Sequence, residues 1–597
     1  MIDLVIRGGT VVDGTGAPPR QADVGVQQGR IVAVGTVEEQ AVTSIDADGL
    51  LVTPGFVDIH THYDAQLSWD PSASPSPLHG VTTVIGGNCG FSLAPGGPED
   101  SDYLARMMAR VEGMPLSALE HLDWTWNSFG QWLSRLDGHI GVNAGFLVGH
   151  STLRRSVMGD DAVAMSASDQ QIAGMVALAK KSFSEGALGF STSQAHTHND
   201  GDGQPVPSRA AGRSELEALC SALTDHAGTT LELIVPGCLN GFTDDEVELM
   251  ATLSLLANRP ANWNVLGVSS LNPDGCEHQL AASTAAAERG AKVVALTLPH
   301  TMKIRLSFEH GTIIDGLPGW REVFALPIPE RMAQLADPEV RRRLDEGARS
   351  KEAGILGALA NWRNLIIEET FSSANAGLAG RTVGDIAAER DQEPFDALIE
   401  VVLADDLRTG LRPPIPESEA DWELRAEVWQ DPRTVVGGSD AGAHLDTMCG
   451  AIYSTSMLGD GVRKRGLLSW EAAVRELTDV PARLYGLRDR GRIATGWFAD
   501  VVVLDPDRVG QCQEYTRTDL PGGASRLYAE AEGIEHVLVN GTEITRSGDF
   551  TGATPGTVLR SAVDTDTVTV PGGGGARFGA GGGAGGGARF GGGGGGG

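Results

Sequence analysis

The chain has 597 residues, 41% of them hydrophobic, and a formal net charge of −32. That length exceeds one ordinary core and predicts a large domain with at least one smaller companion. So acidic a surface repels nucleic acid and anionic membranes, and neither is expected as a partner.

The opening residues, Met1-Ile-Asp-Leu-Val-Ile-Arg, place an acid at once and hold no long apolar core, so no export signal is expected. No run approaches the roughly 20 apolar residues of a spanning helix. Six scattered cysteines without a Cys-x-x-Cys pair read as reduced thiols, and a cytoplasmic location is expected. Leu4-Val-Ile-Arg, Gly9-Thr-Val-Val and Ile31-Val-Ala-Val are β-branched runs between turn-formers such as Asp13-Gly14, and predict short strands. Eight apolar runs follow: Gly55-Phe-Val-Asp-Ile-His, Thr82-Thr-Val-Ile-Gly, Ala144-Gly-Phe-Leu-Val-Gly, Gly189-Phe-Ser-Thr, Thr230-Leu-Glu-Leu-Ile-Val, Asn262-Trp-Asn-Val-Leu, Val293-Val-Ala-Leu-Thr-Leu and Thr434-Val-Val-Gly-Gly-Ser-Asp. Helical stretches lie between several of them, including residues 168–184 and 214–226. Buried strands with helical crossovers predict an α/β fold, a (β/α)8 TIM-like barrel, over residues 55–487. The long gap at residues 299–431 is expected to supply inserted helices and loops over its mouth. Ala499-Asp-Val-Val-Val-Leu-Asp and His536-Val-Leu-Val-Asn-Gly return to strand composition. Residues 1–54 and 488–555 together therefore predict a small composite β-sandwich. Residues 556–597 are assigned to a flexible glycine-rich tail, whose two Ala-Arg-Phe-Gly copies are candidate contacts for a partner or neighbouring subunit.

The chemistry-bearing residues gather at predicted strand ends. Asp58-Ile-His60-Thr-His62 spaces two imidazoles by two residues, so on a strand both can address one ion. Asp440 ends the eighth run in Gly437-Gly-Ser-Asp-Ala-Gly-Ala-His444. In a closed barrel that run lies beside the first, so Asp440 can ligate the same ion or act as general base and then acid for a metal-activated water.

At these residues the sequence resembles the amidohydrolase superfamily. Val52-Thr-Pro-Gly-Phe-Val-Asp-Ile-His-Thr-His, the late Gly-Ser-Asp and Gly491-Arg-Ile-Ala-Thr-Gly-Trp-Phe-Ala-Asp-Val-Val-Val-Leu-Asp carry the resemblance. His62-Tyr-Asp-Ala-Gln, Gly87-Asn-Cys89-Gly-Phe-Ser, Asp123-Trp-Thr-Trp-Asn-Ser-Phe-Gly and Gly186-Ala-Leu-Gly-Phe-Ser-Thr are similar to the N-acyl-D-amino-acid deacylase (D-aminoacylase) branch. The resemblance implies that Cys89 stands where that branch places a metal-binding cysteine. It also implies histidines on the fifth and sixth strands, but Leu233 and Val265 fall at those places. An arginine that grips the substrate carboxylate is absent as well, replaced by Leu445-Asp-Thr-Met-Cys-Gly-Ala.

The expected centre is one Zn2+ held by His60, His62 and Asp440, with Cys89 beside them and Glu232 as a substitute ligand. His150, His196, His198 and His444 are the further candidates for substrate contact. The expected reaction is cleavage of a C–N amide bond, in an N-acyl amino acid or related linear amide, with Asp440 as general base and acid. Alternatives are a cyclic amide, carbamate or ester hydrolase on the same site, or a non-catalytic assembly protein that keeps the fold. The expected partner is a small-molecule amide, and a homo-oligomer is compatible with the sequence.

Overall fold

The computed structural model describes residues 1–573 except 240, 312 and 416, with the backbone alone at 355. The Arg-Phe pairs of the glycine-rich tail lie outside the described residues.

Both ends of the chain enter one nine-stranded sheet. Leu51–Pro54 is its hinge in sequence: it pairs parallel with Ile2–Val11 on one side and antiparallel with Val501–Leu504 on the other. Ile534–Val539, Thr542–Arg546 and Asp549–Phe550 continue the row. Val501–Leu504 is buried along its whole length, which is why it reads as an unbroken apolar run. The hydrogen bonds of these strands trace one forked sheet, with two short two-stranded ladders, Gly510–Gln511 with Ala531–Glu532 and Tyr515–Thr518 with Ser525–Tyr528, beside it. The fork lies at Ile2–Val11, which bulges between Ile6 and Gly9 and pairs with Ala41–Asp46 before reaching Leu51–Pro54.

All eight predicted apolar runs are strands, and all pair parallel. Phe56–Asp58, Val81–Gly86 and Asn143–Phe146 form one sheet. Val148–Gly149, Gly189–Ser193, Thr230–Ile234, Ala261–Leu266, Val293–Thr297 and Thr434–Val436 form a second, in that order. Only Leu147 separates the two sheets along the chain, and a parallel bridge from Thr61 to Ala441 links their far ends. Val57, Ile59, Ile85, Leu147, Leu188, Leu296 and Val435, from both sheets, share one buried cluster. The described ladder is not continuous around these strands.

Helices cross between the strands where local chemistry starts them. Ser168 caps Asp169–Ser184 through a reciprocal bond with Gln171, and Thr243 caps Asp244–Ala257 in the same way with Glu246. Arg213–Ser221 ends earlier than the pattern predicts and tightens into a 3-10 turn over Ala222–Asp225. The insertion carries Ile328–Ala336, Pro338–Ala348, Val383–Arg390 and Pro394–Ala404 around a core of its own, which includes Trp320, Trp362 and Phe395.

Residues 556–573 do not behave as the glycine tail to which composition assigned them. Val558 bridges to Ala144, Leu559 is fully buried, and Thr565 bridges to Leu487. The physical reason is sequence content: Val558, Leu559 and Val570 are buried apolar residues, and the glycine run starts only after them.

Candidate metal centre

The His60–His62 segment leaves its strand with its backbone fixed on both sides. Thr61 N–H donates to Ile85 O at 2.9 Å, His62 N–H to Ala441 O at 2.7 Å, and Asp440 N–H to His60 O at 3.1 Å. The first and eighth strand ends thus meet, as expected, and their side chains converge. Asp440 Oδ1 lies 3.4 Å from His60 Nε2 and 3.1 Å from His62 Nε2. Cys89 Sγ lies 3.4 Å from His60 Nε2 and 3.9 Å from His62 Nε2. Both imidazoles are buried, and the Nδ1 atom of each lacks a partner.

Cys89 reaches this point on a turn after Val81–Gly86. Asp64 Oδ2 accepts from Gly87 N–H at 3.0 Å, and Glu232 Oε2 accepts from Cys89 N–H at 3.0 Å. Cys89 and Asp440 both hold positive φ, 57° and 58°. Non-glycine residues pay for that conformation, and such strain concentrates at functional sites.

Charge explains what the cluster lacks. Burial pushes the Cys89 thiol well up, and Glu232, Glu112 and Asp440 push it further. For Asp440, burial opposes ionisation, but hydrogen bonds from His60 and His62 outweigh it and hold the carboxyl well below the usual range. For His62, burial lowers the pKa and keeps the ring neutral. A neutral imidazole and an ionised carboxylate are donor types of a Zn2+ site, and the Cys89 thiol becomes one on losing its proton. Tetrahedral ligation at about 2.0–2.1 Å spaces neighbouring N and O donors by about 3.3 Å. The distances around Asp440 Oδ1 match that spacing, so the donors fit an ion.

Comparison with known proteins decides the lineage. The model of the amidohydrolase family matches residues 43–544. The chain belongs to the amidohydrolase family. The D-aminoacylase of Alcaligenes xylosoxydans xylosoxydans is 28% identical over 93% of this chain and 97% of its own. A solved structure of D-aminoacylase, described by its binuclear metal center with one-metal activation and second-metal attenuation, is 27% identical with a TM-score of 0.63, covering 94% of this chain and all of that one. The N-acyl-D-glutamate deacylase of Bordetella bronchiseptica, solved with zinc and a phosphonate mimic of the tetrahedral intermediate, is 25% identical with the same TM-score, covering 94% and 100%.

In this amidohydrolase the remaining sequence candidates separate. His196, His198 and His444 line a cavity of about 220 Å³ that opens from His60, Cys89 and Asp440. His444 Nε2 lies 3.7 Å from Asp440 Oδ2, and His198 Nδ1 meets Ser193 Oγ at 2.9 Å. His150 does not line this cavity: it is fully buried between Thr192 Oγ1 and Glu215 Oε1, each at 2.8 Å, where it braces Arg154 and Glu215. Glu232 faces inward, but its carboxylate is occupied by Cys89 N–H and the Asn264 amide, and it does not line the cavity. Burial pushes its pKa up to about 7. Because Glu232 and Ile234 share a face, Ile234 and not Leu233 reaches the cavity from the fifth strand, beside Asn264 and Val265 from the sixth.

Glu112 escapes the sequence reading altogether. It follows Ser101–Val111, is 3% exposed, and places Oε2 3.4 Å from His62 Nε2. Burial, then the charges of Asp440, Asp64 and Glu232, push its carboxyl well above the usual range. One signal was available: an acid at a helix C-terminus opposes the helix dipole, and a residue that defies local preference needs another reason to be there.

Among the described residues no helix is long and apolar enough to cross a membrane.

Proposed function

We propose that this amidohydrolase cleaves the C–N bond of an N-acyl amino acid, or a related linear amide, at one zinc ion held by His60, His62 and Asp440 with Cys89 at its edge. The reading includes closure of the two parallel sheets into one (β/α)8 barrel, supported by the Thr61–Ala441 bridge and the shared interior cluster. It also treats residues 1–54 with 488–555 as a separate bracing domain. The observation that carries it is the convergence of two buried imidazoles on one ionised carboxylate oxygen at 3.1 and 3.4 Å.

When bound, zinc polarises the substrate carbonyl and makes water a stronger acid. Asp440 accepts the water's proton on its carboxylate and passes it to the departing amine, so the products are an acid and an amine. His444, beside Oδ2, holds the carboxylate in the orientation that serves both transfers. The cavity wall of Ile234, Val265, Leu296, Leu298 and Ile452 suits an apolar acyl chain. Lys303 is the lining residue that can hold a substrate carboxylate, where the branch would use an arginine. The D-aminoacylase centre is described as binuclear; here Ile234 and Val265 on the fifth and sixth strands favour a single ion.

The test is zinc content per chain together with turnover of N-acyl-D- and N-acyl-L-amino acids, cyclic imides and aryl esters. About one zinc with turnover confined to linear amides is the expected result. A chain that takes up no zinc, or that turns over only cyclic or ester substrates, removes this reading.

A further inference from the structure

A second carboxylate reaches the same imidazole that Asp440 reaches. His62 Nε2 stands 3.1 Å from Asp440 Oδ1 and 3.4 Å from Glu112 Oε2, and the three donors lie within 4.8 Å of one another. Glu112 is nearly inaccessible, yet among the described residues its recorded ion-pair partner is His62 alone, with no Lys or Arg. A buried carboxylate without a matching cation is costly, and metal coordination is one of the few arrangements that repays it.

The loop that carries Glu112 is built against the metal centre. His444 N–H donates to Glu112 O, which ties the helix end to the segment just past Asp440. Gly113 follows at φ 57°, where a Cβ would lie 3.1 Å from His444 Cα, so the close approach favours glycine. Glu112 also lines the cavity, as do Ile234 and Val265, which supply no donor.

We propose that Glu112 is a ligand of the ion held by His60, His62 and Asp440, an oxygen donor delivered by the loop after Ser101–Val111 in place of the absent strand histidines. The proposal rests on the metal-centre reading above. The 3.4 Å separation from His62 Nε2 equals, within about 0.1 Å, the donor spacing of tetrahedral zinc. Glu112 would then add a carboxylate oxygen to the donors that His60, His62 and Asp440 offer the ion.

The experiment uses the full chain stripped of metal and titrated with Zn2+ against a competing chelator, and with Co2+ followed by its visible spectrum. Replacing even an outer partner of a zinc ligand weakens binding about 10–100-fold, so Glu112→Gln is expected to lose at least about tenfold in Zn2+ affinity. Its Co2+ bands should change in intensity, and its circular dichroism should match the parent. Glu112→Asp, which keeps the charge and shortens the reach, should fall between the two and serves as the second variant if the amide does not fold. Parent-like affinity and Co2+ spectrum in the folded variants would overturn the assignment of Glu112 while leaving the three-ligand centre intact. A parent chain that binds neither metal would remove both.

Discussion

Asp440→Asn keeps the side chain's shape and removes its charge. Asn tolerates the left-handed backbone at this position nearly as well as Asp, so the fold should survive. General acid–base catalysis contributes about 10²- to 10⁴-fold, and turnover of the best amide should fall by at least that much, while the melting temperature stays close to the parent's. Full turnover in the variant would remove Asp440 from its role. Lys303→Met tests a different step: KM for a carboxylate-bearing amide should rise while kcat changes little, because a grip on a remote charge acts alike in ground and transition states. An unchanged KM would show that the cavity reads no anion there. At this scale the sequence spoke unevenly. His60, His62 and Asp440 were legible because each sits at a strand end, where spacing of two or a Gly-Ser-Asp turn fixes direction. Glu112 was not, because its helix has no sequence relation to the strand it meets. On the fifth strand, period-two alternation places Ile234 on the face of Glu232, and it is Ile234, not Leu233, that lines the cavity.

Elements meet through groups that single patterns do not advertise. His79 closes the turn Ser76–His79 and is fully buried, with Nδ1 2.7 Å from Thr455 Oγ1 and Nε2 3.1 Å from Ala529 O. Burial lowers its pKa from 6.5 to about 4. Above pH about 6.5 the ring is neutral in both folded and unfolded chains, and its titration costs nothing. As pH falls from about 6.5 towards 4, the unfolded chain takes up the proton and the folded chain does not, so stability drains away over that window, by on the order of 3 kcal/mol at most. His79→Gln should therefore flatten the dependence of melting temperature on pH between about 6.5 and 4. A slope identical to the parent's would assign the acid sensitivity elsewhere. The strands themselves were legible, since buried parallel strands need continuous apolar runs. Capped helices such as Asp169–Ser184 were legible to within a residue, because Ser168 and Gln171 bond reciprocally. The insertion was visible only as a gap: its helices cohere around Trp320, Trp362 and Phe395, which are far apart in sequence.

Across the whole molecule, one buried network joins three regions. Asp500 accepts from Arg490, from Asn143 Nδ2 at 3.2 Å and from Asn540 N–H at 2.8 Å; Asn540 Nδ2 in turn donates to Pro555 O at 2.8 Å and Thr557 Oγ1 at 3.1 Å. The composite sheet, a parallel strand and the C-terminal segment are thereby bonded through a pair that water does not reach. Asp500→Asn strands the Arg490 charge, and breaking such a pair costs about 3–5 kcal/mol. A denaturant melt should show that loss as one shifted transition; a parent-like midpoint would mean the network is ornamental. Ending the chain at residue 555 should also lower stability, since Leu559 alone buries a side chain worth about 1.5–3 kcal/mol. Composition did not foretell this, because glycine beyond residue 571 dominates any average taken over the last forty residues.

The position of Leu51–Pro54 between Ile2–Val11 and Val501–Leu504 has a consequence for how the protein is made. A ribosome delivers these partners in sequence, at about 5–20 residues per second, so the first five strands wait tens of seconds for the sixth. During that wait Leu51–Pro54 offers a bare edge of unpaired peptide groups, the kind of surface that draws other chains into aggregates. The nascent protein must be sheltered, or must fold its middle first, until its last hundred residues arrive to close the sheet that its first fifty began.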